Sequence, residues 1–442
     1  MKAIVVGSGA GGAVVARELA LNGFNVTILE AGKKFSPLSH KISWLSSLRG
    51  SWLLKNENSI KRVFPHYEVT RTSKDLVVFR GVTEGGCTSI SCGNMVRAEN
   101  GLKEIGLDLS AEFTEIEKTL AINSVPKERW RPLTQQMYDK AEQLGYGPKP
   151  TPKVGDLSKC VGCGYCELGC MTGAKWDSRQ VYKDLLGKGI LLLTNTKVKK
   201  VLLNGNHAHG VLVSHGSSSE RIGADVVVLS AGGIGTAQIL KASDLPARDN
   251  LWVDVVLTVG GVCKRSHMLN EPPMVWFIKK DNYILSPYFD LLSYWFHNPW
   301  KGLPAEDRVG IMIKLADSEQ GSVSADGTVT KSLTKADYES LNNAKIEAKQ
   351  IMAASGVNGP FVDGMVHGGH LGGTVPLTKD DVETMHPSWL PKNLWVADLS
   401  LMPRSQGLPT MLTTAALALR VAKSIATERG VTSNVCFNQR AD

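Results

Sequence analysis

Four cysteines stand close together at Cys160, Cys163, Cys166 and Cys170, with Gly162, Gly164 and Gly169 between them. The spacing C-x2-C-x2-C-x3-C is one that wraps thiolates around an iron–sulfur cubane. The favoured reading is a [4Fe–4S] cluster on Cys160, Cys163 and Cys166. Its fourth ligand is Cys170 or a distant thiol: Cys87, Cys92, Cys263 or Cys436. Two other readings stay open. One is structural zinc, although zinc sites usually separate two cysteine pairs by a longer loop. The other is a loop that holds no metal.

Two histidines, His367 and His370, lie in a glycine-rich run ending at Thr374. An imidazole titrates near neutrality and can take a hydroxyl proton. A structural histidine capping a glycine turn is the competing reading. At the other end of the chain, Gly7-Ser8-Gly9-Ala10-Gly11-Gly12 carries G-x-G-x-x-G through Gly7, Gly9 and Gly12. The first glycine permits the tight turn. The second admits the pyrophosphate, and the third lets a helix pack against the sheet. Glu30 stands where a ribose-binding acid belongs. The fingerprint specifies an adenine dinucleotide and does not separate FAD from NAD.

These groups need a frame. Residues 2–6 read as a strand, 11–22 as a helix and 25–30 as a second strand, one βαβ opening. A polar, irregular stretch follows to about residue 80, within which Leu76-Val77-Val78-Phe79 is strand-like and runs into a glycine-rich turn. Helices are expected over 109–122 and 132–144. A strand series is expected at 190–194, 198–203, 209–214 and 225–230, and a helix from near Gly235. From about 246 to 365 strand-like pieces and an aromatic run, Tyr283 to Trp300, suggest a second domain. That run is core, or it lines a pocket for an apolar or ring-shaped substrate. Residues 394–398 form a last strand, followed by an apolar helix from Thr410 to Ile425.

Composition narrows the class. Of 442 residues, 43% are hydrophobic and 21% charged, as in a globular protein. No apolar run is long enough for a transmembrane helix, and the N-terminus shows no signal peptide. A cytoplasmic protein is expected, and clustered cysteines there point to metal or redox chemistry. The net charge of +8 is scattered, with short clusters at Lys197–Lys200 and Lys264-Arg265. No basic tail argues for nucleic acid. The charge suits a solvated surface, or a docking face for an acidic one-electron carrier such as a ferredoxin.

Four segments together resemble the glucose–methanol–choline (GMC) oxidoreductases, a family of FAD enzymes. They are the fingerprint through Leu29-Glu30-Ala31-Gly32, Gly85-Gly86-Cys87-Thr88-Ser89 with Asn94, Ala224 to Thr236, and Leu394 to Ser400 with Gly407-Leu408-Pro409-Thr410. The resemblance implies an α/β fold: a discontinuous Rossmann-like FAD-binding domain with a second α+β substrate domain built on an antiparallel sheet. Expected boundaries are 1–245 for the FAD domain, with a cysteine-rich loop at about 155–180. The substrate domain spans 246–365, and 366–442 returns to the FAD domain. Implied FAD contacts are Gly7, Gly9, Gly11, Gly12, Glu30, Gly85, Gly86, Ser89, Asn94, Val198, Ala231, Gly232, Asp398, Pro409 and Thr410. Asp398 would accept from a ribityl hydroxyl. The last helix would aim its positive end at the flavin.

The family places a histidine near flavin N5 within H-P-x-G-[GST]. His370 fits that base best, with His367 the runner-up. Leu371 stands in place of the proline. The family's second catalytic residue, His or Asn, is missing before the last helix. Expected overall is hydride transfer between FAD and a small-molecule alcohol or carbonyl, in either direction. Electrons would pass singly through the cluster to an external carrier. A cluster-free oxidase using oxygen, or an electron-transfer subunit of a larger complex, are the alternatives.

Overall fold

The computed structural model describes residues 1–38, 56–73, 76–300 and 303–430. Cys436 and the segment around it lie outside them. The opening is the expected βαβ unit: strand Lys2–Val6, helix Ala10–Leu21, strand Asn25–Leu29. These join a five-stranded parallel sheet in the order 394–396, 226–229, 2–6, 25–29, 190–193. The strand Val226–Leu229 is an unbroken buried apolar run, as parallel sheets covered on both faces require. Helices Ala10–Leu21 and Met411–Glu428 pack against each other and bury mostly alanine, valine and leucine. Strands Lys197–Asn204, His207–His215 and Ser218–Gly223 form a separate antiparallel meander.

The second layer is a nine-stranded sheet. Its centre pairs Val255–Val262 with Arg308–Leu315, and then Arg308–Leu315 with Tyr283–Pro287, all antiparallel. Period-2 alternation divides the work of these strands. Val255, Leu257, Ile311, Ile313 and Leu315 face the helix Lys335–Ala354 in one core. Val256 and Met312 face the other way, toward Met274, Tyr288 and Leu408. That second face is the floor of the site described below.

Two features were not foreseen. Residues 67–71, within the stretch read as irregular, form a hairpin with 77–81, the segment read as strand-like, on the edge of the large sheet. The sheet therefore draws strands from outside 246–365, namely this hairpin, Lys149–Pro150 and His367–Gly368. The 20-residue helix Lys335–Ala354 was also missed. Its signal is present: Thr334 and Asp337 form a capping box, and Leu341, Ala344, Ala348 and Ile351 recur at helical spacing.

Candidate active site

The parallel sheet ends in a cavity of about 390 Å³, lined from all four segments that carried the resemblance. Gly7 has φ +102, and a Cβ there would stand 2.3 Å from the Ser230 carbonyl oxygen. Only glycine makes that turn. The helix after it starts at Gly9 with no side-chain cap, which leaves N–H groups free to face an anion. Gly86, at φ +53, brings its Cβ direction within 3.0 Å of the Gly9 Cα. A Cβ on Gly9 would meet nothing nearer than 4.0 Å. The space there is a bare-backbone cradle, which suits a pyrophosphate.

Glu30 is buried at the strand end. Its Oε2 accepts from the Ser8 amide at 3.1 Å and hydroxyl at 2.7 Å, and its Oε1 accepts from the Gly32 amide at 2.8 Å. Burial raises its pKa, against those bonds. Gly7, Gly9, Gly11, Glu30, Gly86, Asn94, Val198, Ala231, Gly232, Asp398, Pro409 and Thr410 all line the cavity. Gly12, Gly85 and Ser89 stand behind its wall. The Gly12 Cα–H faces the Gly7 carbonyl, and the Ser89 hydroxyl donates to the Glu84 carbonyl at 2.9 Å. Asp398 is already engaged: Oδ2 accepts from the Gly232 amide at 2.8 Å and the Thr236 hydroxyl at 2.6 Å, and Oδ1 accepts from the Ser400 amide at 2.8 Å. It pins the helix Gly232–Ala242 to the last strand as well as facing the cavity.

Both candidate histidines line this cavity. His370 has a partner that sequence reading missed. Its Nδ1 lies 3.0 Å from Oδ2 of Asp254, which is 0% exposed. The other oxygen of Asp254 accepts from the Ser405 hydroxyl and from the Gln406 and Gly407 amides, each at 2.8 Å. A carboxylate so bonded accepts from the ring, so Nδ1 carries the proton and Nε2 is left as a base. Asp254 holds a left-handed backbone at φ 49, an unusual conformation often kept at functional sites. Burial lowers the His370 pKa and Lys314 adds to the effect, while Asp254 and the Leu408 backbone pull the other way. The imidazole is therefore neutral at neutral pH. His367 differs. Among the described residues neither of its nitrogens makes a hydrogen bond, and Asp290 Oδ2 is 3.6 Å from Nε2.

Of the aromatic run, Tyr288 lines the cavity, while Phe289, Tyr294 and Trp295 pack in a core with Phe64 and Tyr67. The run is mostly core.

A second cavity, of about 210 Å³, is ringed by Cys92, Cys160, Cys163, Cys166 and Cys170. Among the described residues no three His, Cys, Asp or Glu side chains converge on a single ion position. The thiols stand around the space instead of meeting. Two buried lysines line it. Lys175 donates to the carbonyls of Thr88, Ser89, Ser91 and Cys166 at 2.8–3.1 Å. Lys153 donates to the Cys92 carbonyl at 3.1 Å and to Asn94 Oδ1 at 2.6 Å. Neither pairs with a carboxylate among the described residues. Burial pushes Cys166 up to about 11, with Lys175 and Lys153 opposing. Burial also acts to raise Cys170, but bonds from Thr172 and the Lys175 amide outweigh it and hold that thiol below its ordinary value. Cys92 lines both cavities.

Residues 1–265 match the family model for GMC oxidoreductases. The chain belongs to the GMC oxidoreductase family. FAD is the cofactor that membership brings. The chain is 27% identical to an uncharacterized protein of Methanocaldococcus jannaschii over 425 residues, covering 95% of this chain and 98% of that one. It is 23% identical to a long-chain-alcohol oxidase of Arabidopsis thaliana over 521 residues, covering 96% and 68%. The crystal structure of pyridoxine 4-oxidase from Mesorbium loti superposes with a TM-score of 0.75 at 15% identity, covering 96% of this chain and 99% of that one. This GMC member therefore has the fold of that oxidase over nearly its whole length. No helix among its described residues is long and apolar enough to cross a membrane.

Proposed function

We propose that this GMC oxidoreductase transfers hydride between the CH–OH carbon of a small-molecule substrate and FAD. The carrying observation is the His370–Asp254 pair, fixed in the same cavity as the glycine cradle. Bound FAD supplies the two-electron acceptor. His370 Nε2 takes the hydroxyl proton, and Asp254 holds the ring in the tautomer that can do so. Val256, Met274, Met312 and Tyr288 give the cavity an apolar floor, which suits an apolar carbon skeleton. The activities for which two of the similar proteins are named, long-chain-alcohol oxidase and pyridoxine 4-oxidase, are of this reaction class.

We infer further that Cys160, Cys163, Cys166 and Cys170 hold a [4Fe–4S] cluster. What supports this reading is the C-x2-C-x2-C-x3-C spacing and the cavity that these four thiols ring, with Lys153 and Lys175 beside them. Cys92 remains a candidate fourth ligand from the flavin side. Beside the flavin, such a cluster would pass electrons one at a time to an external carrier, and the basic surface suits an acidic one. A reducing, cytoplasmic setting would keep the seven thiols of the described residues free, as they are here.

The test is anaerobic purification, an absorption spectrum, and counts of flavin, iron and sulfide. Expected are one FAD and four irons per chain. Cys163→Ser should lose iron and keep FAD. Flavin without iron overturns the cluster, and a chain that stays colourless when offered FAD overturns the whole reading.

A further inference from the structure

Four lysines among the described residues are buried: Lys153, Lys175, Lys314 and Lys331. Three have polar partners. Lys331 pairs with Asp317 at 2.7 Å, and Lys153 and Lys175 donate to the oxygens named above. Lys314, 6% exposed, has no hydrogen-bond or ion-pair partner among the described residues. It lies on strand Arg308–Leu315, paired with Val256 on one side and Ile284 on the other, and its side chain lines the flavin cavity. An ammonium flanked by apolar residues is costly unless an anion or strong acceptor meets it. Burial lowers its pKa, and the charges of Asp254, Cys92 and Glu167 pull the other way. Asp254 is committed to His370, Ser405, Gln406 and Gly407, and Glu167 accepts from the Tyr288 hydroxyl. Its N–H donors are therefore left for the cavity that Lys314 and His370 both line. This is also the space where the expected second catalytic side chain is missing, because Leu408 and Pro409 offer none.

We propose that Lys314 is a catalytic residue whose ammonium donates to the reacting oxygen of the substrate, while His370 Nε2 takes that oxygen's proton. The inference rests on His370 as the base. In oxidation, the O–H bond breaks with its proton passing to Nε2. The C–H bond breaks with its electron pair and hydrogen passing to FAD, and the carbonyl forms. Lys314 holds the oxygen as its negative charge develops. In reduction it polarises the carbonyl, and His370 returns the proton. Its positive charge also opposes a proton on His370, which keeps the base ready.

The test uses the FAD holoenzyme with acetate as a probe of an oxyanion. Titration should give a saturable change in the flavin spectrum. Lys314→Met should weaken acetate at least about tenfold, as expected for losing a hydrogen bond to a charged group. Lys314→Arg should retain most of it. Anaerobic bleaching of the flavin by benzyl alcohol or 1-decanol should slow about 10²–10³-fold in Lys314→Met with little change in half-saturation. Ethylamine should restore part of the rate in Lys314→Ala. A wild-type flavin indifferent to acetate, or a Lys314→Met holoenzyme that binds it equally, overturns the proposal. Should Lys314→Met not fold, the same comparison is made with Lys314→Gln. If acetate binds through Lys314 but no alcohol bleaches the wild-type flavin, the proposed reaction fails and the anion-binding role stands.

Discussion

Replacing Asp254 with asparagine tests the base assignment most directly. Three groups donate to Asp254 Oδ1, the Ser405 hydroxyl and the Gln406 and Gly407 amides. In Asp254→Asn the amide oxygen must stay on that side. The amide nitrogen then faces His370 Nδ1, 3.0 Å away in the native pair. Two donors cannot face each other, so the ring proton moves to Nε2. The nitrogen that should accept the substrate proton is then blocked. Losing the charge-assisted bond costs about 1.5–3 kcal/mol, or roughly 10–150-fold. Losing the general base costs about 10²–10⁴-fold, and that larger effect governs because the tautomer is wrong. We expect flavin bleaching to slow by about 10²–10⁴-fold with FAD content unchanged. Anaerobic stopped-flow absorbance with benzyl alcohol or a long-chain primary alcohol measures it. In the wild type the rate should rise with pH through a His370 pKa below the ordinary 6.5, because the neutral ring is the active form. A mutant rate within about threefold of wild type, under 1 kcal/mol of barrier, would refute the assignment.

Gly9→Val should fold and lose its cofactor. A Cβ there meets no protein atom within 4.0 Å but fills the phosphate space; a yellow Gly9→Val protein with full flavin occupancy counts against the cradle. Glu271→Gln should stabilise the protein at high pH only. Burial pushes Glu271 up to about 7, against bonds from Thr134 and the Arg131 amide. Its folded pKa lies above the unfolded value of 4.5, so its favourable contribution is complete below pH 4.5 and is lost as pH rises through 7. The variant's melting temperature should exceed the wild type's by about 1–3 °C at pH 8.5, with no gain at pH 5. Equal melting temperatures at pH 8.5 would remove Glu271 as the cause.

The sequence by itself determined the cofactor half of this protein. Gly7, Gly9, Gly12 and Glu30 form a local signal because one turn, one helix and one strand build that part of the site from the 24 residues 7–30, and helix and strand periods are read within such windows. The α/β class, the parallel opening and the closing helix followed from the same local patterns. The cysteine spacing was likewise visible, being a property of one loop. Only the tertiary structure decided what faces what. Asp254 meets His370 across 116 residues, and nothing near either residue marks the pair. Lys314 sits in the buried run Arg308–Leu315, where alternation says that neighbouring side chains point oppositely but not which face meets a cavity. The strand-like run at 76–79 was visible, but residues 67–71 read as irregular because Tyr67-Glu68-Val69-Thr70-Arg71 is largely polar and pairs on one side only, with 77–81. Polar strands at a sheet edge leave little trace in sequence. The two lysines at the thiol cavity were hidden because their partners, backbone carbonyls and the Asn94 side chain, are brought close only by the folded chain.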